Sequence, residues 1–243
     1  MHPFHELYSA LPRQGPGSTA STRQALECLQ VPSEADVLDI GCGSGAQTAV
    51  LAERADLRIT AVDSFAPSLA RLGARLPGVR TLQASMSDLP LPDAAFDAIW
   101  SEGAIYIIGF STGLAAWRRL LRPGGCVAVT ELSWLTPTPS AEPAAAWGAD
   151  YPAMQTVSGN IATIERLGYA LVDTFVLPER DWWTDYYGPL RARIEALAPT
   201  WSADEQRRGV LAEARREIAL FERYSREYGY VFYLMRDAGG HRG

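Results

Sequence analysis

The run Gly41-Cys42-Gly43-Ser44-Gly45 has the residue types best suited to hold a ligand. Glycines that follow a strand let backbone approach a ligand closely at the carboxyl edge of a sheet. Asp63 ends the next apolar run, where nucleotide-binding folds place the acid that accepts from ribose hydroxyls. The glycine run also fits the loose dinucleotide pattern, so it indicates a nucleotide-type cofactor without choosing one.

Asp39 narrows that choice, because it lies at the carboxyl end of the strand before the glycine run. A carboxylate there would repel a pyrophosphate. It would suit a ligand that carries an ammonium group, or it would clamp the amides of the loop. A buried, unpaired carboxylate is costly, so we expect partners for Asp39. A role that only pins the turn remains the alternative.

Composition excludes several other chemistries. All 22 basic side chains are arginine, which rules out Schiff-base lysine, a phosphate-loop lysine and a Tyr-x-x-x-Lys dehydrogenase pair. The histidines lie near the ends of the chain: His2, His5 and His241. The cysteines are widely spaced and form neither a disulfide framework nor a zinc pattern: Cys28, Cys42 and Cys126. We therefore predict no metal site.

The charge and hydropathy of the sequence argue against nucleic acid and membranes as partners of the protein. The net charge is −6 over 243 residues and there is no long basic run, which disfavours nucleic acid. No apolar stretch approaches the ~20 residues that cross a bilayer, and the start resembles no signal peptide. We expect a cytoplasmic protein with a small-molecule partner, no membrane contact, and a monomeric or homodimeric state.

The order of apolar runs predicts the scaffold that positions these residues. Strands and helices alternate from residue 36 to 132, which is typical of a parallel sheet covered on both faces. The predicted strands are 36–40, 58–62, 79–83, 96–100, 126–130, 169–177 and 230–235. The predicted fold is α/β, a Rossmann-like and mostly parallel seven-stranded sheet with helices on both faces and added helices before the last strand.

The predicted domain organisation is one unit over residues 1–243. Residues 1–30 form an N-terminal lid and helix, and residues 36–132 form a cofactor-binding core. Residues 133–159, read as a long connection, and 178–229 are insertions on the substrate side. Within the second insertion, Ser202-Ala203-Asp204-Glu205 has the spacing of a capping box.

Several further segments match a known family in order. Val37-Leu38-Asp39-Ile40 leads into the glycine run, Ser85-Met86 follows the third strand, residues 96–102 cover the fourth strand and its exit, and residues 120–125 precede the fifth. In these segments the sequence resembles the class I S-adenosylmethionine-dependent methyltransferases. A looser resemblance, in residues 13–18, 100–106 and 227–233, is to bacterial methyltransferases with little assigned function.

The resemblance implies S-adenosyl-L-methionine as cofactor and S-adenosyl-L-homocysteine as product. It assigns Asp63 to the ribose hydroxyls and Ser85-Met86 to the adenine. Many members have Asp where this chain has Ser85, so the adenine contact departs from the family pattern. The predicted cofactor-binding residues are Asp39, Gly41, Cys42, Gly43, Gly45, Asp63, Ser64, Ser85, Met86 and Ser101.

Methyl transfer from a sulfonium needs alignment of a nucleophile and, for a protonated acceptor, a base. The acceptor is expected above the carboxyl ends of the fourth and fifth strands. The candidate catalytic residues there are Glu102, Tyr106 and Glu131. Glu102 is the first choice for a base or orienting carboxylate; a contact to the cofactor's amino-acid end, or a hydrogen bond within the loop, is the alternative.

Aromatic residues are concentrated in the two insertions and near the last strand, where they would build an acceptor pocket or seal helices onto the sheet. They are Trp134, Trp147, Tyr151, Trp182, Trp183, Tyr186, Tyr187, Tyr228 and Tyr230. At the other end of the chain, Tyr8 and Arg13 are expected to belong to the lid. An ordinary surface turn is the alternative for this segment.

Three alternative functions stay open beside a small-molecule methyltransferase. An RNA or protein methyltransferase would need a basic groove or an Asn/Asp-Pro-Pro-Tyr type motif, and the sequence has neither. An NAD-dependent oxidoreductase is weakened by Asp39 and by the lack of acid–base histidine and lysine. A non-catalytic cofactor-binding module remains, because methyl transfer needs so little dedicated chemistry.

Overall fold

One seven-stranded sheet runs through the computed structural model, which describes residues 2–239. In chain order the strands are β1 (Asp36–Ile40), β2 (Arg58–Asp63), β3 (Arg80–Gln83), β4 (Phe96–Ser101), β5 (Leu121–Trp134), β6 (Tyr169–Val176) and β7 (Tyr228–Asp237). Their spatial order is β3-β2-β1-β4-β5-β7-β6. Strands β1 to β5 pair in parallel, and β7 lies antiparallel between β5 and β6. The predicted fold class is confirmed.

Helices cover both faces of this sheet. They are α1 (Pro3–Tyr8), α2 (Thr19–Leu29), α3 (Ala46–Leu51), α4 (Ala66–Arg75), α5 (Phe110–Trp117), α6 (Ala141–Asp150), α7 (Val157–Arg166), α8 (Arg180–Trp182), α9 (Gly188–Trp201) and α10 (Glu205–Tyr224). Because strand side chains alternate, Trp100 packs in the core that contains Phe221 of α10, whereas Ile99 packs in the core that contains Leu114 of α5. Both faces of the central strands are therefore buried.

The segment predicted as a long connection, 133–159, is more ordered than its composition indicated. Strand β5 extends to Trp134 because β7 pairs with it over its whole second half, as far as Tyr228. Helix α6 then fills the middle of the segment, and α7 already begins at Val157. Pairing across the sheet, which local composition does not encode, accounts for the longer strand.

The predicted capping box before α10 is wrong. The N-cap is Asp204, whose carboxylate accepts from the backbone N–H of Arg207 at 3.0 Å. Ser202 instead donates its hydroxyl to the carbonyl of Pro199 at 2.9 Å. Helix α9 continues through Pro199 to Trp201, which is buried, and this leaves only a short turn before α10.

The N-terminal segment, residues 2–18, lies against the helices inserted before β7. Arg193 of α9 donates to the carbonyls of Leu7 and Glu6 at 2.8 and 2.6 Å. Asp181 of α8 accepts from the hydroxyl of Ser18 at 2.8 Å, and its carbonyl accepts from the N–H of Gly17 at 3.0 Å. The N-terminal segment and the helices inserted before β7 thus build one side of the molecule together.

Among residues 2–239, no helix is both long and apolar enough to cross a membrane. The same residues contain no cluster of three or more His, Cys, Asp or Glu side chains arranged to hold a metal ion. His241, one of the three histidines considered above, lies outside the described residues.

Candidate active site

Two neighbouring cavities lie where the carboxyl ends of the parallel strands meet the N-terminal segment. The glycine-loop cavity, of about 470 Å³, is lined by the segments that follow β1, β2, β3 and β4. The aromatic cavity, of about 740 Å³, is lined mainly by α6, α10 and the turns around α8. Both have the same residues along one side: Phe4, Tyr8, Gln14, Gly15, Pro16, Gly103 and Tyr106.

The glycine loop is fixed to the neighbouring strand by its own backbone. The N–H groups of Gly41 and Cys42 both donate to the carbonyl of Val62, at 2.8 and 3.0 Å. Gly41 has φ +73°, and a Cβ added there would overlap the side chain of Ala104. Gly43 has φ +53° and comes within contact of Gln14, so a side chain there would displace the N-terminal segment. Glycine is therefore required at both positions.

Asp63 holds the loop from the end of β2. Its carboxylate accepts from the N–H of Gly43 at 2.9 Å and from the N–H of Phe65 at 2.8 Å. The same side chain lies on the wall of the glycine-loop cavity. Each carboxylate oxygen can accept more than one hydrogen bond, so Asp63 still has capacity for a ligand's hydroxyls.

Asp39 is fully buried beneath the loop and does not line either cavity. It accepts from the Gln47 amide at 3.2 Å and from the Thr48 hydroxyl at 2.6 Å, both in the first turn of α3. Its observed partners are therefore side chains of α3, whereas sequence reasoning expected loop amides or a ligand. Burial raises the pKa of the Asp39 carboxyl to about 7.

Most of the predicted cofactor-binding residues come together on the wall of the glycine-loop cavity. Those on the wall are Gly41, Cys42, Gly43, Asp63, Ser64, Ser85 and Met86. Asp39, Gly45 and Ser101 are outside it. Gly45 caps the start of α3, and the Ser101 hydroxyl is buried in β4 without a hydrogen-bond partner among residues 2–239.

Glu102, the first candidate for a base, faces the glycine-loop cavity but its carboxylate is already engaged. The Trp100 indole N–H and the Thr22 hydroxyl donate to one oxygen, each at 2.8 Å. The Arg13 guanidinium donates to the other oxygen at 2.9 Å. Both members of this ion pair are buried, with side chains 7% and 3% exposed. The pair joins the N-terminal segment to the end of β4.

Tyr106, the second catalytic candidate, lies in the turn after β4 at the side common to both cavities. Its ring is 40% exposed and meets the ring of Tyr151 edge-on, with centroids 6.0 Å apart. It is the one candidate catalytic side chain that faces both cavities.

Glu131, the third candidate, lies in β5 and is 1% exposed. Its Oε2 atom has no hydrogen-bond partner among the described residues. Burial raises the pKa of the Glu131 carboxyl to about 8, and the approach of the Tyr151 hydroxyl offsets this only in part. Glu131 is not on a cavity wall, but Tyr151 is on the wall of the aromatic cavity.

The aromatic cavity contains about half of the rings singled out from the sequence. Trp147, Tyr151, Trp182, Tyr186 and Tyr230 line it. Trp134, Trp183, Tyr187 and Tyr228 do not, and they pack within the surrounding core. The segment Trp183–Tyr187 forms one π-helical turn, a distortion that is frequent at functional sites.

Sequence reasoning missed Glu217, which lies on the wall of the aromatic cavity. Its Oε1 atom accepts from the hydroxyls of Tyr186 and Tyr187, at 3.3 and 2.9 Å. The signal was the helical spacing of Glu213, Glu217 and Leu220, which forms a second face of α10 beside the apolar one. That face becomes visible only once α10 is placed beside the cavity.

The N-terminal residues Tyr8 and Arg13, predicted to belong to the lid, lie on the wall of the glycine-loop cavity. His5 also lines this cavity and stacks on Phe65, with ring centroids 4.1 Å apart and planes 5° from parallel. The segment thus forms one wall of the cavity opposite the strand ends.

Part of the chain that contains this site is similar to known methyltransferases. A family model described as a methyltransferase domain matches residues 38–129. An uncharacterised methyltransferase of Mycobacterium tuberculosis (strain H37Rv) is 40% identical over 105 residues, which is 42% of this chain and 52% of the relative. Trans-aconitate 2-methyltransferase of Acidovorax sp. (strain JS42) is 35% identical over 113 residues, covering 44% and 43% of the two chains. The chain spans about half the length of these relatives.

Two solved structures resemble the whole molecule. A methyltransferase from Geobacter sulfurreducens, in complex with S-adenosyl-L-homocysteine, is 22% identical with a TM-score of 0.82 and covers 97% of each chain. Another from Thiobacillus denitrificans, in the same kind of complex, is 20% identical with a TM-score of 0.81 and covers 96% of each. At this identity the likeness establishes the fold. Residues 38–129 thus match a methyltransferase domain, and the whole chain has the fold of these two methyltransferase structures.

Proposed function

We propose that the protein transfers a methyl group from S-adenosyl-L-methionine to a small molecule bound in the aromatic cavity. The observation that carries this proposal is the common side of the two cavities, where Tyr8, Gln14 and Tyr106 face both. A cofactor in one cavity and an acceptor in the other would meet there. Such an arrangement supplies the alignment on which methyl transfer depends.

The residues around the glycine-loop cavity suit this cofactor. Gly41 and Gly43 let the backbone approach it closely, and the Asp63 carboxylate would accept from the ribose hydroxyls. Met86 offers an apolar surface to the adenine ring, with the hydroxyls of Ser85 and Ser87 beside it. The cavity volume, about 470 Å³, lies in the range usual for small-molecule sites.

The Arg13–Glu102 ion pair supports the same assignment. It lines the glycine-loop cavity and offers one positive and one negative group. These are complementary to the carboxylate and ammonium of an amino-acid end. Because all three donors already hold Glu102, we assign it to positioning the N-terminal segment and the cofactor, in place of the role of base.

The sulfonium of the bound cofactor supplies a methyl group that is already activated for transfer. The N-terminal segment lines the common side of the cavities, where it would limit the access of water to the reacting atoms. Tyr106 lies at that side and would orient the acceptor through its hydroxyl. No lysine or histidine is needed for these tasks.

An acceptor that is protonated at neutral pH must also lose its proton. We assign this task to Tyr151 and Glu131, since the Tyr151 hydroxyl lines the aromatic cavity and approaches the Glu131 carboxylate. A proton would pass from the acceptor to the Tyr151 hydroxyl oxygen while the hydroxyl proton moves to Glu131. Because its pKa is about 8, the Glu131 carboxyl is mostly protonated at neutral pH and only its ionised form can take the proton. This transfer should therefore become faster as the pH rises toward 8.

The size of the aromatic cavity, about 740 Å³, favours a small acceptor over RNA or protein. The N-terminal segment and α10 both line it and are joined by an ion pair between Glu6 and Arg207 at 3.2 Å. A macromolecular acceptor would require this wall to move away. A non-catalytic binding module would bind the cofactor without transferring its methyl group, so only a measurement of turnover distinguishes it from an enzyme.

Replacing Asp63 tests the cofactor site. In Asp63→Ala we expect the affinity for S-adenosyl-L-homocysteine to fall about 100-fold or more, because two charge-assisted hydrogen bonds contribute about 1.5–3 kcal/mol each. Titration calorimetry measures the change. Asp93→Ala, which removes an exposed carboxylate paired with Arg119, should leave the affinity unchanged. Equal affinities in two folded variants would refute the ribose assignment.

Replacing Glu102 tests its positioning role. Glu102→Gln leaves the buried Arg13 cation uncompensated, so we expect the free energy of unfolding to fall by about 3–5 kcal/mol. The affinity for S-adenosyl-L-homocysteine should fall with it. Glu53→Gln breaks a comparable pair with Arg23 at the surface and should cost about 1 kcal/mol or less. Urea unfolding and calorimetry check both effects; normal affinity with lost turnover would instead support Glu102 as the base.

Glu131 should make stability depend on pH. The folded carboxyl keeps its proton up to a pKa of about 8, whereas the unfolded one releases it near 4.5. The folded state therefore binds more protons between these values, and the free energy of unfolding should decrease as pH rises through that window. Glu131→Gln should flatten the decrease, leaving the parts contributed by Asp39 and Glu217, whose pKa values are also raised. Urea unfolding at several pH values measures the slope; an unchanged slope would contradict the burial of a titrating Glu131.

A further inference from the structure

Glu217 brings a carboxylate into the aromatic cavity from the middle of α10. Both tyrosine hydroxyls that donate to it, from Tyr186 and Tyr187, reach the same oxygen, Oε1. Among residues 2–239 no hydrogen bond reaches Oε2. One oxygen of the carboxylate is therefore available to a ligand.

No cation of the described chain pairs with Glu217. The arginine beside it in the sequence, Arg216, pairs instead with Asp150 at 3.0 Å and with Glu213 at 2.7 Å. Burial raises the pKa of the Glu217 carboxyl, with a further increase from the Asp150 charge. Within the described chain, two hydroxyl groups donate hydrogen bonds to the Glu217 carboxylate, but no positively charged side chain pairs with it.

Aromatic rings form most of the remaining wall. They are Tyr8, Tyr106, Trp147, Tyr151, Trp182, Tyr186 and Tyr230. The face of an aromatic ring attracts a cation, and the attraction is stronger where water is excluded. A carboxylate surrounded by Trp and Tyr rings is a combination that favours a ligand's ammonium group together with an apolar body.

The other charged side chains on the wall of the aromatic cavity also favour a cationic ligand. Asp150, Glu213 and Glu217 contribute three carboxylates, against the single guanidinium of Arg216. Arg216 is already shared by two of these carboxylates. An anionic acceptor would meet uncompensated negative charge at Glu217 and no free arginine in this cavity.

We propose that the acceptor is a small amine with an apolar or aromatic body, anchored in the aromatic cavity by its ammonium group on Glu217. This proposal rests on the proposed function for the role of the ligand as acceptor. The binding site itself depends only on the cavity, the rings and the carboxylate. The ammonium group is the anchor and not the nucleophile. At the side that the two cavities have in common, a second nucleophilic atom of the same ligand would form the bond to the methyl group as the methyl–sulfur bond breaks, and a proton on that atom would leave through Tyr151 to Glu131.

Three probes with one hydrocarbon body separate the outcomes: phenethylamine, phenethyl alcohol and hydrocinnamate. They are titrated by calorimetry into the full chain saturated with S-adenosyl-L-homocysteine. We expect the amine to bind about tenfold or more tightly than the alcohol or the carboxylate, since a hydrogen-bonded charge pair contributes at least that factor. Equal binding of the three probes, or no binding of the amine up to millimolar concentration, overturns the proposal.

Glu217→Gln is the decisive variant, because glutamine still accepts from Tyr186 and Tyr187 but carries no charge. It should weaken the amine about tenfold and leave the alcohol unchanged. Glu222→Gln, on the exposed face of the same helix and paired with Arg191, should leave all three probes unchanged. If the Glu217→Gln variant still bound the amine more tightly than the alcohol and the carboxylate, Glu217 would not be the anchor of the ammonium group.

Titration of S-adenosyl-L-homocysteine alone, on the same samples, keeps the two proposals apart. If it binds and the amine shows no preference, the amine proposal fails and the proposed function stands. If it does not bind while amine affinity depends on Glu217, the proposed function fails and the amine site stands.

Discussion

The buried ion pair between Arg13 and Glu102 is the interaction on which both cavities depend. Glu102 follows the end of β4, and Arg13 belongs to the N-terminal segment, 89 residues earlier in the sequence. Breaking a buried pair leaves a charge without compensation, so the N-terminal segment is held firmly against the strand ends. The glycine loop, Tyr106 and the aromatic rings acquire their common boundary from this contact. The contacts of Arg193, Asp181 and Arg207 with the same segment hold it against the inserted helices, whereas the Arg13–Glu102 pair holds it against the strand ends.

The wall of the glycine-loop cavity could largely be predicted because its signals are local. The glycine run, Asp63 and Ser85-Met86 each end or follow a strand, and parallel strands place such residues at one edge. The prediction is less complete where the direction of a side chain decides whether the residue reaches the cavity wall. Asp39 and Ser101 belong to the same strands, yet alternation along the strand and burial keep their side chains off the cavity wall.

The aromatic cavity, where we propose that the acceptor binds, could be predicted only in outline. The rings of residues 134–230 were identified, but which of them line the cavity depends on how α6, α8 and α10 pack together. Glu217 resembled any charged residue of an amphipathic helix until its neighbours were placed. The role of Glu102 likewise rests on partners at Arg13 and Thr22, far from it in the sequence. Contacts between residues so far apart in the sequence leave no pattern in the local sequence from which they could be predicted.

The measurement that tests the central claim most directly is calorimetric titration of the unmodified protein with S-adenosyl-L-methionine, S-adenosyl-L-homocysteine and NAD in parallel. A site built from Gly41, Gly43 and Asp63 beside the Arg13–Glu102 pair should bind the first two with one ligand per chain. The account predicts that NAD does not bind, and NAD is the discriminating probe because the glycine run also fits the loose dinucleotide pattern. Binding of NAD alone would contradict the account, and so would binding of none of the three.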